Sequence, residues 1–154
     1  TKNHLRDVEG GLNLLDVRAV TEAGVMMLIL KMRPKHPGQT KTALMAALSG
    51  PYLHPKLAIA VDEDIDASDL RQIAWSMTTR VHAERDVTMI PETRVFALDN
   101  ISPTAPGMGS FARLGTKWMI DATIPAYLSD AERYNFEPAF PKSFETVNLK
   151  DYLP

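Results

Sequence analysis

The densest chemistry in the chain is Asp62-Glu63-Asp64-Ile65-Asp66, where four carboxylates fall within five residues. They follow a short apolar run, Lys56 to Val61, and precede a segment of helical periodicity, so they lie between a strand and a helix. In an open α/β sheet, ligands collect outside the carboxyl ends of strands, and hard oxygen donors there suit Mg²⁺ or Mn²⁺, with Asp62 and Asp64 as the ligating pair. The same residues also suit a helix start. Asp66 or Ser68 offers an oxygen to the free N–H groups of the first turn, and the remaining carboxylates sit favourably at the positive end of the helix dipole. Capping requires only what the sequence plainly offers, so Asp66 and Ser68 are expected to cap, and a metal site at Asp62 and Asp64 is the second reading. Either way the carboxylates would repel a phosphate, and no Gly-x-Gly-x-x-Gly accompanies them.

Other reactive types are scattered. His4, His36, His54 and His82 lie too far apart to make a metal spacing. No serine stands in a Gly-x-Ser-x-Gly setting, and Gly107-Met108-Gly109-Ser110 is too short a glycine signal for a phosphate cradle. The chain has no cysteine, which excludes disulfides, thiolate zinc sites and cysteine nucleophiles. Trp75 and Trp118 fall in a helix and a strand and are expected to pack in the core.

The elements that must position these residues are legible from periodicity. Leu14 to Thr21 and Val25 to Met32 read as two neighbouring strands separated by Glu22-Ala23-Gly24. After Pro34 and Pro37, the segment from Gln39 to Leu48 puts Thr40, Ala43, Leu44, Ala47 and Leu48 on one helical face, and Gly50-Pro51 ends it. Lys56 to Val61 reads as a central strand covered on both faces. The helix spanning Asp69 to Val81 is expected to bury a stripe of Leu70, Ile73, Ala74, Met77 and Val81. Val87 to Ile90 follows as a strand closed by Pro91, so that strand, helix and strand form an expected parallel βαβ unit. Asn100 to Gly115 reads as a loop, Thr116 to Ala122 as a strand and Leu128 to Tyr134 as a short helix. The proline-punctuated stretch from Glu137 to Pro154 reads as a tail that packs on a neighbouring surface.

Bulk properties narrow the classes. A chain of 154 residues with 45% hydrophobic residues can build one domain with a real core. A net charge of −2 with both signs interspersed supplies no basic stripe for nucleic acid. The longest apolar run, Gly24 to Met32, is interrupted by Lys31 and is far shorter than the roughly 20 residues a membrane span needs. No signal peptide is apparent, and the cytoplasm is the expected compartment. The opening Thr-Lys-Asn-His, without an initiator methionine, suggests a piece of something longer.

Three blocks together carry a family resemblance. They are Pro37-Gly38-Gln39-Thr40-Lys41-Thr42-Ala43-Leu44; Ala60-Val61-Asp62-Glu63-Asp64-Ile65-Asp66, continuing through Trp75-Ser76-Met77-Thr78-Thr79-Arg80-Val81 to Glu84-Arg85-Asp86; and Gly115-Thr116-Lys117-Trp118-Met119-Ile120-Asp121-Ala122-Thr123. Their order and spacing resemble the C-terminal domain of UbiD-type decarboxylases, and Leu98-Asp99 with Ser102-Pro103 is similar to that family's loop before the last strand. The resemblance implies an α/β fold in three layers, with a mixed, largely parallel sheet and flanking helices. It assigns residues 1–124 to the domain and 125–154 to a terminal helix and tail packing on a neighbouring subunit or domain.

It also implies non-oxidative decarboxylation, or the reverse carboxylation, of an aromatic, heteroaromatic or α,β-unsaturated acid. The cofactors implied are prenylated FMN with Mn²⁺ or Mg²⁺ and K⁺, held with an Arg/Glu/Glu catalytic set by an N-terminal catalytic domain or subunit. The C-terminal domain in that family assembles a homo-oligomer and closes the pocket. No residue of this chain matches the catalytic set, since Glu132 and Glu137 come after the family's last strand. The resemblance places Ile120 and Thr123 on the wall of the substrate pocket, with Asp121 as a turn or capping acceptor. The isolated chain is expected to be inactive and to bind none of these cofactors; an independent assembly or small-molecule-binding module is the alternative.

Overall fold

The computed structural model describes residues 12–107, 113–139 and 150. Five strands, β1 (Leu14–Val20), β2 (Met27–Met32), β3 (Leu57–Val61), β4 (Val87–Val95) and β5 (Arg113–Ala122), form one sheet in the order β1-β2-β3-β5-β4. β2, β3 and β5 run parallel at the centre, and β1 and β4 flank them antiparallel. The helices are α1 (Gln39–Leu48), α2 (Leu70–Arg80), α3 (Ala83–Asp86) and α4 (Asp130–Arg133).

The central strand explains the layering. β3 reads Leu57-Ala58-Ile59-Ala60-Val61, and alternation sends Ala58 and Ala60 to one face and Ile59 and Val61 to the other, all of them buried. On the first face the small alanines let α1 approach, so that Ala43, Leu44, Ala47 and Leu48 pack against Leu28, Leu30, Met32 and Met119. On the second face Ile73 of α2 and Ile65 cover Ile29, Ile59, Ile120 and Ala122. A strand covered on both sides can carry no exposed polar row, which is why this run is continuously apolar. Trp75 and Trp118 lie half-buried against the second cluster. The expected three-layer α/β architecture is the one observed.

Three groups of expectations are corrected: strand pairing and bounds, the buried face of α2, and its cap. The parallel neighbours of β3 are β2 and β5, so the strand after α2 does not complete a parallel βαβ unit; β4 pairs antiparallel with β5 at the sheet edge. Its composition accounts for this, because Pro91 has no N–H to give to a ladder and is confined to edges and bulges. β4 runs through Pro91 to Val95, absorbing it in a register shift between Ile90 and Thr93 where Glu92 takes φ +54°. The presumed loop also yields its last residues to β5, which starts at Arg113; residues 108–112 of that loop lie outside the described residues.

The buried stripe of α2 is displaced as well. Ile73, Ser76 and Arg80 are buried, whereas Leu70 and Ala74 face outward. Ser76 Oγ donates to the Ile73 carbonyl at 2.8 Å, which satisfies its hydroxyl inside the interface.

The third correction concerns the cap. α2 begins after Asp69, whose carboxylate accepts from the Arg71 amide at 2.9 Å. Asp66 instead closes the preceding turn by accepting from both the amide and the hydroxyl of Ser68, at 2.8 and 2.7 Å. Periodicity placed the helix start at Asp69, within one residue of the observed one, but the cap was assigned to Asp66 or Ser68 because these and Asp69 are all competent caps. Asp69→Ala is expected to cost about 1 kcal/mol of stability in urea denaturation, and Asp66→Ala less. The opposite ranking would show that the upstream turn, rather than the cap, holds the helix start.

The short helix expected around Leu128 to Tyr134 appears as α4 followed by a 3₁₀ turn, Tyr134–Phe136. Ser129 and Glu132 form a reciprocal capping box at its start. Most of the expected tail, residues 140–149 and 151–154, lies outside the described residues.

Candidate functional site

A cleft of about 240 Å³ opens at the carboxyl end of β5, where the chain leaves Ala122. Three separate stretches of sequence supply its walls: Gly38, Thr40 and Lys41 from the start of α1, Arg85 and Asp86 from the end of α3, and Asp121 and Thr123 from the end of β5. The turn of Pro125, Ala126 and Tyr127 forms a fourth side. Each stretch ends there for a local reason. Gly38 adopts φ +84°, a left-handed backbone that L-side chains resist, and this lets the chain swing from the Pro37 turn into α1. Alternation along β5 sends Met119 and Asp121 to one side of the sheet and Ile120 and Ala122 to the other.

Hydrogen bonds tie the walls together. The Asp121 carboxylate accepts from the Thr123 amide at 3.0 Å and from the Thr123 hydroxyl at 2.6 Å. The Thr123 hydroxyl lies 3.3 Å from that of Thr40, joining the end of β5 to the first turn of α1. Arg85 grips Asp86 through two contacts, Nε to Oδ1 at 2.7 Å and Nη2 to Oδ2 at 2.8 Å, while the His82 amide donates to Asp86 at 2.8 Å.

The two carboxylates respond in opposite directions. Burial pushes the Asp121 carboxyl above its ordinary pKa, with the nearby Asp86 charge adding to the rise and the Thr123 bonds opposing it. Burial also raises Asp86, but the Arg85 guanidinium and the His82 amide outweigh it and hold Asp86 below the ordinary value. The cleft thus holds the Asp121 carboxyl, which retains its proton more readily, an Asp86 carboxylate paired with Arg85, the Lys41 ammonium, and the hydroxyls of Thr40, Thr123 and Tyr127. Such a set can hydrogen-bond an anionic group and hold a proton beside it.

Of the residues singled out from sequence, Thr123 lines the cleft, and Asp121 is both the turn acceptor expected of it and a cleft group. Ile120 lies on the opposite face of the sheet, 4% exposed beneath α2, and does not line this cleft. The acidic cluster lies elsewhere. Asp62 accepts from the Ile124 amide and from Arg133 Nη2 at 3.2 Å, and Asp64 accepts from both terminal guanidinium nitrogens of Arg80. Burial pushes the Asp62 carboxyl up despite those bonds. With their oxygens directed at arginines, these carboxylates are arranged for ion pairing rather than for a divalent cation. Among the described residues, no group of three or more histidine, aspartate or glutamate side chains is placed to hold a metal.

Thr40, Lys41, Arg85 and Asp86 were not picked out from sequence as site residues. One signal was available, since all four lie in the first two of the blocks that carry the family resemblance, and Asp121 and Thr123 end the third. Three blocks spread over 87 sequence positions, from Pro37 to Thr123, meet in a single cleft.

The family model for the 3-octaprenyl-4-hydroxybenzoate carboxy-lyase C-terminal domain matches residues 4–122. The chain belongs to the UbiD family. Solved structures similar to this UbiD-family domain include apo Klebsiella pneumoniae 3,4-dihydroxybenzoic acid decarboxylase, at 30% identity with a TM-score of 0.73, over 97% of this chain and 30% of that one. The Sedimentibacter hydroxybenzoicus vanillic acid decarboxylase in closed form is 26% identical with a TM-score of 0.70, over 97% and 29%. The UbiD-class enzyme HmfF of Pelotomaculum thermopropionicum, in complex with FMN, is 27% identical with a TM-score of 0.70, over 92% and 29%. This chain therefore spans less than a third of the length of each of these chains. No helix among the described residues is long and apolar enough to cross a membrane.

Proposed function

We propose that this chain is the assembling and pocket-closing part of a UbiD-like non-oxidative decarboxylase or carboxylase, acting on aromatic, heteroaromatic or α,β-unsaturated acids. The convergence of the three family blocks on one open cleft at the carboxyl end of the sheet carries this reading. In an open α/β sheet that end is where ligands are met, and the cleft presents cations and hydroxyls suited to a carboxylate. Thr123 and Asp121 form its floor, and Lys41 and Arg85 form its charged rim.

The reaction chemistry belongs to a companion. A cleft of 240 Å³ is smaller than the roughly 300–1,000 Å³ that encloses a drug-sized ligand, so these residues do not fit a flavin by themselves. The prenylated FMN, with Mn²⁺ or Mg²⁺ and K⁺, is assigned to an N-terminal catalytic domain or subunit. This part closes over it, excludes water and completes the pocket in a cytoplasmic homo-oligomer.

The test is reconstitution. The purified chain alone is expected to show no flavin absorbance and to release no CO₂ from aromatic acids, and co-expression with the N-terminal part restores both. Cofactor-dependent decarboxylation by the isolated chain would overturn the proposal.

A further inference from the structure

We infer that Asp62, Arg80 and Arg133 form a polar clasp that sets the position of the Pro125–Tyr127 wall of the cleft, and so act as positioning residues. Its relevance to substrate rests on the function proposed above; the clasp itself does not.

The segment that carries this wall is held in an unusual way. Neither α4 nor the 3₁₀ turn after it buries a single side chain, so no apolar stripe fastens them to the domain. Four-residue helices are too short to be stable on their own, and tertiary contacts must supply what propensity does not. The fastenings lie on either side of the wall. Upstream, Ile124 is buried and its amide donates to Asp62 Oδ2. Downstream, Arg133 donates to the other oxygen of the same carboxylate at 3.2 Å, and Arg80 Nη2 donates to the Phe136 carbonyl at 2.9 Å. Asp62 thus holds both ends of a stretch of ten residues, 124–133, through its two oxygens.

The anchors themselves are buried. Asp62 directly follows β3 with its side chain 1% exposed. The Arg80 side chain is fully buried, placed 5.0 Å over the Trp75 ring and gripped by Asp64. Burying a charged pair is a poor route to stability, because desolvation offsets most of the attraction, but its directional bonds fix geometry. Pro125, Ala126 and Tyr127 lie between the two fastenings and face the cleft. Losing Arg133 would leave the downstream end held only by the Arg80 bond to the Phe136 carbonyl, three residues farther on, and the wall freer to move relative to Thr123 and Arg85.

Hydrogen exchange on the full chain tests the clasp, with Arg133→Gln as the probe because Arg133 is partly exposed and its loss spares the core. Residues 124–136 should exchange about tenfold faster in the variant while β3 is unchanged, and Arg133→Lys should restore most of the protection. Unchanged exchange in the segment would overturn the clasp, whether or not the cleft binds an acid. In the reconstituted decarboxylase, Arg133→Gln should raise KM about tenfold with kcat within about twofold, the signature of displaced substrate contacts. Faster exchange with an unchanged KM would overturn the positioning role while leaving the decarboxylase reading intact.

Discussion

Arg80→Ala is expected to destabilise the chain by about 4 kcal/mol, read as a lower denaturation midpoint at unchanged slope. The guanidinium is 0% exposed and serves four ends at once: both oxygens of Asp64, the Phe136 carbonyl and the face of Trp75. Truncation removes all of them and leaves a cavity beside the ring. The loss should fall within the range for broken buried pairs and not above it, because Asp64 is 35% exposed and can be rehydrated when its partner goes. A loss below about 1 kcal/mol would mean that desolvation of the arginine already cancels its bonds.

The same substitution should change how stability responds to acid. Burial raises the Asp64 carboxyl, but the hydrogen bonds and charge of Arg80 outweigh it and hold the folded-state pKa below the ordinary 3.8. A carboxyl depressed in the folded state contributes stability that is fully present above its unfolded pKa and is lost as pH falls through the folded one. Arg80→Ala removes the depression, so the variant should lose less further stability than wild type as pH falls below about 4. Parallel denaturation curves at pH 7 and pH 3 measure the difference, and an unchanged gap between the two proteins would sink this account of Asp64.

Leu44→Ala is expected to cost about 3 kcal/mol, since Leu44 is 1% exposed and packs where α1 meets the sheet. The effect should reach the cleft. α1 presents Thr40 to Thr123 one helical turn before Leu44, so a helix that settles into the new void carries the Thr40 hydroxyl with it. Thermal unfolding gives the stability loss. A loss below about 1 kcal/mol would show that the alanines of β3 let α1 collapse onto the sheet without leaving a void.

The elements whose residues contact only their own sequence neighbours, or bury one clean face, were legible without a structure. The α1 face of Thr40, Ala43, Leu44, Ala47 and Leu48 is buried as its spacing implied, and Lys56 to Val61 was recognisable as a doubly covered strand. The short helix expected over Leu128 to Tyr134 follows the same rule, although the capping box of Ser129 and Glu132 that starts it was seen only in the structure. The family, too, was readable, from motif order alone.

What sequence could not decide was partnership. Nothing within Val87 to Ile90 states which strand it will pair with, and β3 has only two edges, both taken by the more apolar β2 and β5; the strand bearing Pro91 was left the sheet's rim. The buried row of α2 was misjudged because Arg80 looks solvent-seeking until Asp64, sixteen residues away, is brought against it. The acidic cluster changed most. Its density suggested a metal or a cap, yet Asp62 meets Arg133 across 71 residues and Asp64 meets Arg80, pairings no local rule anticipates. The cleft is of the same kind, since Thr40, Arg85 and Asp121 become neighbours only when the start of α1 meets the ends of α3 and β5 at one rim of the sheet. Local hydrogen bonding and side-chain period are properties of the chain itself, whereas charge pairing and site assembly depend on long-range folding, and for this protein the proposed function lies in the second group.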